Sequence, residues 1–233
     1  MPARAMAMIM PNTTGTAMTD AALLRLLVWL SPAFPTGGFA YSQGIEWAVE
    51  SGDVRCGASL GAWLGDHFTY GGGLGEAMLL HAAHRAGPDM ARLTELAELA
   101  LAAALPRERA EETLAQGAAF LRAARPWRPA WLDGELAYPL AVGALAAAHA
   151  VGEAEAALAF VISQASALVS AAVRLVPLGQ SAGVAALAAL EPVLIETAAR
   201  AGTIPLEDLG GCGFGAEIAT MCHETQEARL FRS

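Results

Sequence analysis

No stretch of useful length in this chain alternates apolar and polar residues, while apolar residues recur at three- and four-residue spacing nearly everywhere. That pattern argues against a half-buried sheet and asks for helices that bury one face against one another. Leu23, Leu26, Leu27 and Leu30 share a helix face, and Pro32 stops that helix. Residues 32–38 (PAFPTGG) form a turn, with two prolines and a glycine pair. Helices are predicted over 42–50, ended by Gly52, over 60–70, and over 74–85 after the glycine run 71–73. Asp89 caps a helix with Met90, Leu93, Ala97 and Ala100 on one face, and Pro106 opens another that runs to about residue 125. Residues 126–134 (PWRPAWLDG) are the clearest long loop. Three alanine-rich helices follow, over 137–150, 153–173 and 178–201, and their small side chains permit close approach. The expectation is one all-α domain, a single helical bundle of about nine or ten helices. It occupies residues 20–233, behind a disordered leader or expression remnant over 1–19.

Composition narrows what such a bundle does. The apolar fraction of 55% forces the question of membrane insertion. The best spanning candidates are residues 136–151 and 154–173. The first contains Pro139 and His149, the second Glu155, Gln164 and three serines, and neither has basic flanks. Both read as buried core helices, so no membrane is expected. The net charge of −9, with no lysine and no basic cluster, excludes a nucleic-acid binder, whose affinity comes mainly from neutralised phosphates. Three distant cysteines, Cys56, Cys212 and Cys222, point to a reducing cytoplasm rather than a disulfide framework.

No catalytic constellation is present. The glycine run before residue 74 lacks the lysine and hydroxyl of a phosphate-binding loop and reads as a turn. His81 and His84 share a helix face with Glu76 near by, which could ligate a metal. The plainer reading is a partly exposed polar face, and no metal site is assigned. Cys222 and His223 are adjacent, so their side chains diverge on a helix and a chelate there needs a second chain. Asp66 and His67 have no visible partner, and the Glu111–Glu112 pair reads as a solvated face.

Two segments stand apart. Residues 31–54 join the Pro/Gly turn to Phe39, Tyr41 and Trp47, with Gln43 and Glu46 near by; burial of Trp47 is expected. Residues 223–233 (HETQEARLFRS) place Leu230 and Phe231 between Arg229 and Arg232, the composition of an interface anchor. A tail docked on its own domain would have the same composition.

SPAFPTGGFAYSQGIEWAVESG (31–52), SALVSAAVRLVPLGQSAG (166–183) and HETQEARLFRS resemble, in order and spacing, the three motifs of the urease accessory protein UreF family. The similarity runs from about residue 23 to 233. It implies an all-helical, cytoplasmic, often dimeric scaffold that is not an enzyme and has no resident cofactor. It also implies three partners, namely a UreD/UreH-type accessory protein, the GTPase UreG and apo-urease, with nickel passing transiently through the assembly. The partner-binding residues it points to are Gly37, Gly38, Phe39, Tyr41, Gln43, Glu46, Arg174, Gln180, His223, Glu224, Arg229, Leu230, Phe231 and Arg232. Glu227 departs from the tail signature, where an aromatic is common. On this reading the tail from His223 onward orders on a partner. An alternative is regulation of the GTPase by an arginine supplied in trans, worth about 10³–10⁵ in rate, with Arg174, Arg229 and Arg232 as candidates.

Overall fold

The computed structural model describes residues 18–104, 106–211 and 213–233, so most of the leader expected over 1–19 lies outside the described residues. Among them the fold is all-α, with no strand. The helices are α1 (Asp20–Trp29), α2 (Ile45–Glu50), α3 (Gly57–Tyr70), α4 (Gly72–Ala86), α5 (Met90–Ala103), α6 (Arg107–Ala123), α7 (Tyr138–Ala148), α8 (Glu153–Leu175), α9 (Gln180–Ala201) and α10 (Phe214–His223). Single 3-10 turns lie at Gly38–Ala40 and Leu206–Asp208.

Local chemistry sets most boundaries. The Thr19 hydroxyl accepts from the Ala22 N–H, and the Asp89 carboxylate accepts from Arg92 N–H, so both side chains cap helix starts. The helix expected from residue 42 begins at Ile45, because Gln43 and Gly44 take left-handed φ values of 53° and 82°. Glycine adopts that conformation freely, whereas a buried glutamine does so only when its surroundings hold it. Gly71 alone breaks the chain between α3 and α4; Gly72 and Gly73 already belong to α4.

The centre of the bundle is α4, which packs against α3, α5, α7, α8 and α9. Every residue of α7 from Tyr138 to Ala146 is buried, which explains why that apolar segment shows almost no amphipathic pattern. The crossing of α4 and α7 is close, since a methyl on Gly143 would run into the Leu80 carbonyl oxygen. Aromatic rings of Phe34, Phe120, Tyr138 and Phe160 meet in sequence at centroid separations of 5.4–5.6 Å. By length and composition α8 and α9 could each cross a membrane. In the bundle α8 packs on α4, α7 and α9, and α9 packs on α3, α4 and α8 through Gly183, Ala186, Leu190, Leu194 and Ala198.

Three expectations are corrected here. His81 does not sit on a partly exposed face; it is buried, with Nδ1 2.6 Å from Glu153 and Nε2 2.9 Å from the Ala198 carbonyl oxygen. It ties α4 to α8 and α9. Trp47 is half-buried, and Ile45 and Ala48 supply the core side of α2. Glu112 is not solvated; it is 1% exposed, while Glu111 beside it faces solvent.

Candidate functional site

The three singled-out segments meet at one buried polar network. Its floor is α6, whose Glu108, Glu112 and Gln116 fall at four-residue spacing above Phe120 and therefore share the helix face turned inward. Gln43 donates to Glu112 Oε1 at 3.0 Å and Gln116 donates to the same oxygen at 2.9 Å. The left-handed backbone of Gln43 aims its side chain there, and Gly44 lets α10 approach. A Cβ on Gly44 would stand 2.8 Å from the Thr220 hydroxyl and 2.9 Å from the Thr220 nitrogen.

Glu46 of α2 grips the tail. Its Oε1 accepts the Leu230 N–H at 2.7 Å, and its Oε2 accepts the Phe231 N–H at 2.9 Å. His223 closes α10 and is 0% exposed. Its Nε2 lies 3.2 Å from Glu46 Oε2 and its Nδ1 lies 2.8 Å from Glu108 Oε2. Arg229 donates to Glu108 Oε1 at 2.7 Å. The Glu224 carboxylate accepts the Glu108 N–H at 3.1 Å, where an anion suits the open first turn of α6. At the far end the Ser42 N–H and hydroxyl both donate to the Ser233 carbonyl oxygen, at 2.7 and 2.5 Å. The Ser233 hydroxyl donates to Glu112 Oε2 at 2.7 Å, and the Arg232 N–H donates to the Ala40 carbonyl oxygen at 2.8 Å.

Arg174, near the end of α8, joins the central motif to this assembly. Its guanidinium sits 4.4 Å from the centre of the buried Phe231 ring and donates to the Phe39 carbonyl oxygen at 2.9 Å. Phe39 and Leu230 point outward, 77% and 80% exposed. The hydrogen-bonded backbone beneath them thus presents two large apolar side chains to solvent. Gly37 (φ 80°) turns the chain into the Gly38–Ala40 turn that carries Phe39, and Tyr41 is half-buried at its end. Gln180 stays apart: it is the exposed first residue of α9 and takes no part in the network.

Behind Glu112 lies a second charged layer. Arg109 pairs with Glu112 and, at 2.5 Å, with Glu76 of α4. Burial pushes the Glu76 carboxyl up; Arg109 opposes that and the neighbouring Glu112 charge adds to it. Burial works against the charge on Arg109, but the two carboxylates outweigh it and hold its pKa above the ordinary range. The buried His67 imidazole is pushed down to about 3, by burial first and then by the Arg109 charge. A cavity of about 110 Å³ opens here, lined by His67, Glu76, Arg109, Thr113 and Gln43 among others. Among the described residues no group of three or more His, Cys, Asp or Glu side chains is arranged to hold a metal ion.

Sequence reasoning offered Gln43, Glu46, Arg174, His223, Glu224, Arg229 and Phe231 as partner-binding residues and missed Ser42, Glu108 and Glu112, which several of them contact within the chain, and Arg109 behind Glu112. The signal was present, since residues 108, 112, 116 and 120 make a four-residue stripe that ends in an aromatic.

A UreF family model matches residues 54–191. A urease accessory protein UreF of a Bradyrhizobium species is 48% identical over 227 residues, which cover 94% of this chain and 95% of that protein. A UreF of Rhodopseudomonas palustris is 48% identical over 231 residues, covering 94% and 95%. One of Rhizobium leguminosarum is 49% identical over 215 residues, covering 91% and 96%.

Proposed function

The chain belongs to the UreF family of urease accessory proteins, and from that premise we propose that it is a non-catalytic scaffold of urease maturation. It docks a UreD/UreH-type accessory protein and the GTPase UreG in the cytoplasm, works as a homodimer, and helps pass nickel to apo-urease. Nickel is cargo in this reading, and the chain keeps no resident cofactor. The observation that carries it is the tail. Its backbone is held by Glu46, Ser42 and Ala40, and the result is a fixed surface with Leu230 and Phe39 standing out of it. Exposed apolar side chains on a rigid support are efficient anchors, because little ordering entropy is lost when a partner covers them.

Leu230→Asp tests the reading, because an 80% exposed side chain contributes little to the fold. The variant is expected to keep the wild-type circular dichroism and elution volume and to lose co-purification with the UreD/UreH-type protein. Full retention of the complex would remove the tail from the docking surface.

GTPase regulation is the second reading, with Arg174, Arg229 and Arg232 as its candidates. Arg174 and Arg229 are engaged within the chain, whereas the Arg232 guanidinium makes no hydrogen bond or ion pair among the described residues. Single-turnover GTP hydrolysis by UreG in complexes built with Arg232→Ala checks it. A rate equal to wild type in an intact complex eliminates Arg232 as the trans-acting arginine.

A further inference from the structure

We propose that the junction between the starts of α4 and α10 is a binding site for a small free oxyanion of the carboxylate or phosphate class, held by the open amides of both helices and by His67. The site is separate from the docking surface above and does not rest on that reading.

Both helices begin without a side-chain cap. The N-cap of α4 is Gly71 and that of α10 is Gly213, so neither offers a side-chain acceptor. The Gly71 carbonyl oxygen takes the Leu74 and Gly75 N–H groups, and the Gly213 carbonyl oxygen takes those of Ala216 and Glu217. The N–H groups of Gly72, Gly73, Phe214 and Gly215 find no acceptor among the described residues. The two ends also touch. A Cβ on Gly213 would stand 2.6 Å from the Gly71 Cα, a separation that only a glycine there permits. Each helix start carries about half a positive charge. Two such ends in contact repel, and an anion between them satisfies the open donors of both.

His67 supplies a second and independent observation. Its side chain is 6% exposed and forms a wall common to two cavities, of about 110 and about 220 Å³. Gly71 and Gly72 line the first, and Gly213 and Gly215 line the second. Neither ring nitrogen has a hydrogen-bond partner among the described residues, whereas buried polar groups are normally paired. The ring is neutral, as its depressed pKa requires, and so has one N–H to donate. Arg109 lines the first cavity and its positive charge reaches the ring. Three carboxylates border the cavities. Glu76 is committed to Arg109 and Gln164, Asp66 is exposed and Glu217 half-buried, and none of them accepts from the four open amides. Donors thus converge on this junction without a protein acceptor, which selects an anion.

Occupancy has a structural consequence. The main packing partner of α10 is α2, while α4 is the centre of the bundle. An ion that accepts from both helix starts fastens α10 to α4 at the end opposite His223. It therefore stabilises the folded chain by mass action.

The test is nuclear magnetic resonance on the ¹⁵N-labelled full chain, titrated with sodium phosphate and separately with sodium acetate, at an ionic strength held constant with sodium chloride. Saturable shifts are expected at the Gly72, Gly73, Phe214 and Gly215 amides and in the His67 ring, and the ion that binds more tightly gives the class. His67→Leu removes a donor to a charged acceptor and should weaken binding about tenfold or more. Gly72→Pro removes one open amide at the first helical position, where proline is favoured and the preceding Gly71 is already extended. That variant should keep the wild-type circular dichroism and also bind about tenfold more weakly. No saturable shift at these amides with either ion overturns the site, as does wild-type affinity in either folded variant. If His67→Leu fails to fold, Gly72→Pro carries the test. No partner protein enters the measurement, so failed docking and a failed anion site are separate results.

Discussion

Replacing Glu46 by alanine isolates the clamp that holds the tail. The side chain sits on α2, is buried, and accepts the Leu230 and Phe231 N–H groups while facing His223. A hydrogen bond to a charged acceptor contributes about 1.5–3 kcal/mol net. The two tail contacts share one carboxylate, so their values do not add in full, and the expected loss of tail docking is about 2–4 kcal/mol. Global stability falls by no more than the docking free energy, since beyond that the tail lets go and the helices stay folded. Two readouts separate these cases. Urea titration followed by far-ultraviolet circular dichroism gives the global loss, and amide exchange at Leu230 and Phe231 gives the local one. Glu46→Gln, which keeps one oxygen and adds an amide donor, should fall between wild type and alanine. A Glu46→Ala protein that loses less than about 1 kcal/mol and still protects both amides would refute the clamp.

The remaining predictions concern the body of the bundle. Gly143→Ala should destabilise by up to about 2 kcal/mol in urea titration, because overpacking against the Leu80 carbonyl costs about 1–3 kcal/mol and the gain in helix propensity returns only about 1 kcal/mol; a more stable variant would show that the α4–α7 crossing has room. Arg109→Met should cost about 3–5 kcal/mol by leaving Glu76 and Glu112 buried without a counter-charge, and adding Glu76→Gln and Glu112→Gln should recover part of it; no recovery in the triple variant would mean that shape, not charge, sets the cost. The folded pKa of His67 lies near 3, below its ordinary 6.5, so its contribution is present above 6.5 and is lost as pH falls from there toward 3. Denaturation midpoints of His67→Gln should therefore fall less on acidification than wild type across that window, and parallel curves would remove His67 as the source.

Some of this was legible from residue order alone. Helical periodicity, the Asp89 cap and the breaks at Pro32, Gly52 and Gly71 are local, since each depends on residues within one or two turns. The motifs that carry the family resemblance were legible too, because similarity is read along the chain. The helix at Phe214–His223 was not expected. Gly215 lowers its propensity, and its apolar Phe214, Ile218 and Met221 face solvent rather than core.

Sequence by itself determined that the chain folds as an all-helical bundle and which segments carry its identity. Only tertiary structure decided what the polar residues in those segments do. His223 and Glu46 are 177 positions apart, and Ser233 and Glu112 are 121 apart. No periodicity spans such distances. Whether a glutamate is solvated, as Glu111 is, or buried and paired, as Glu112 is, depends on which helix covers it. The charge a buried group carries depends in turn on the donors and acceptors brought around it. The residue types were therefore readable in advance, and their pairing was settled by packing.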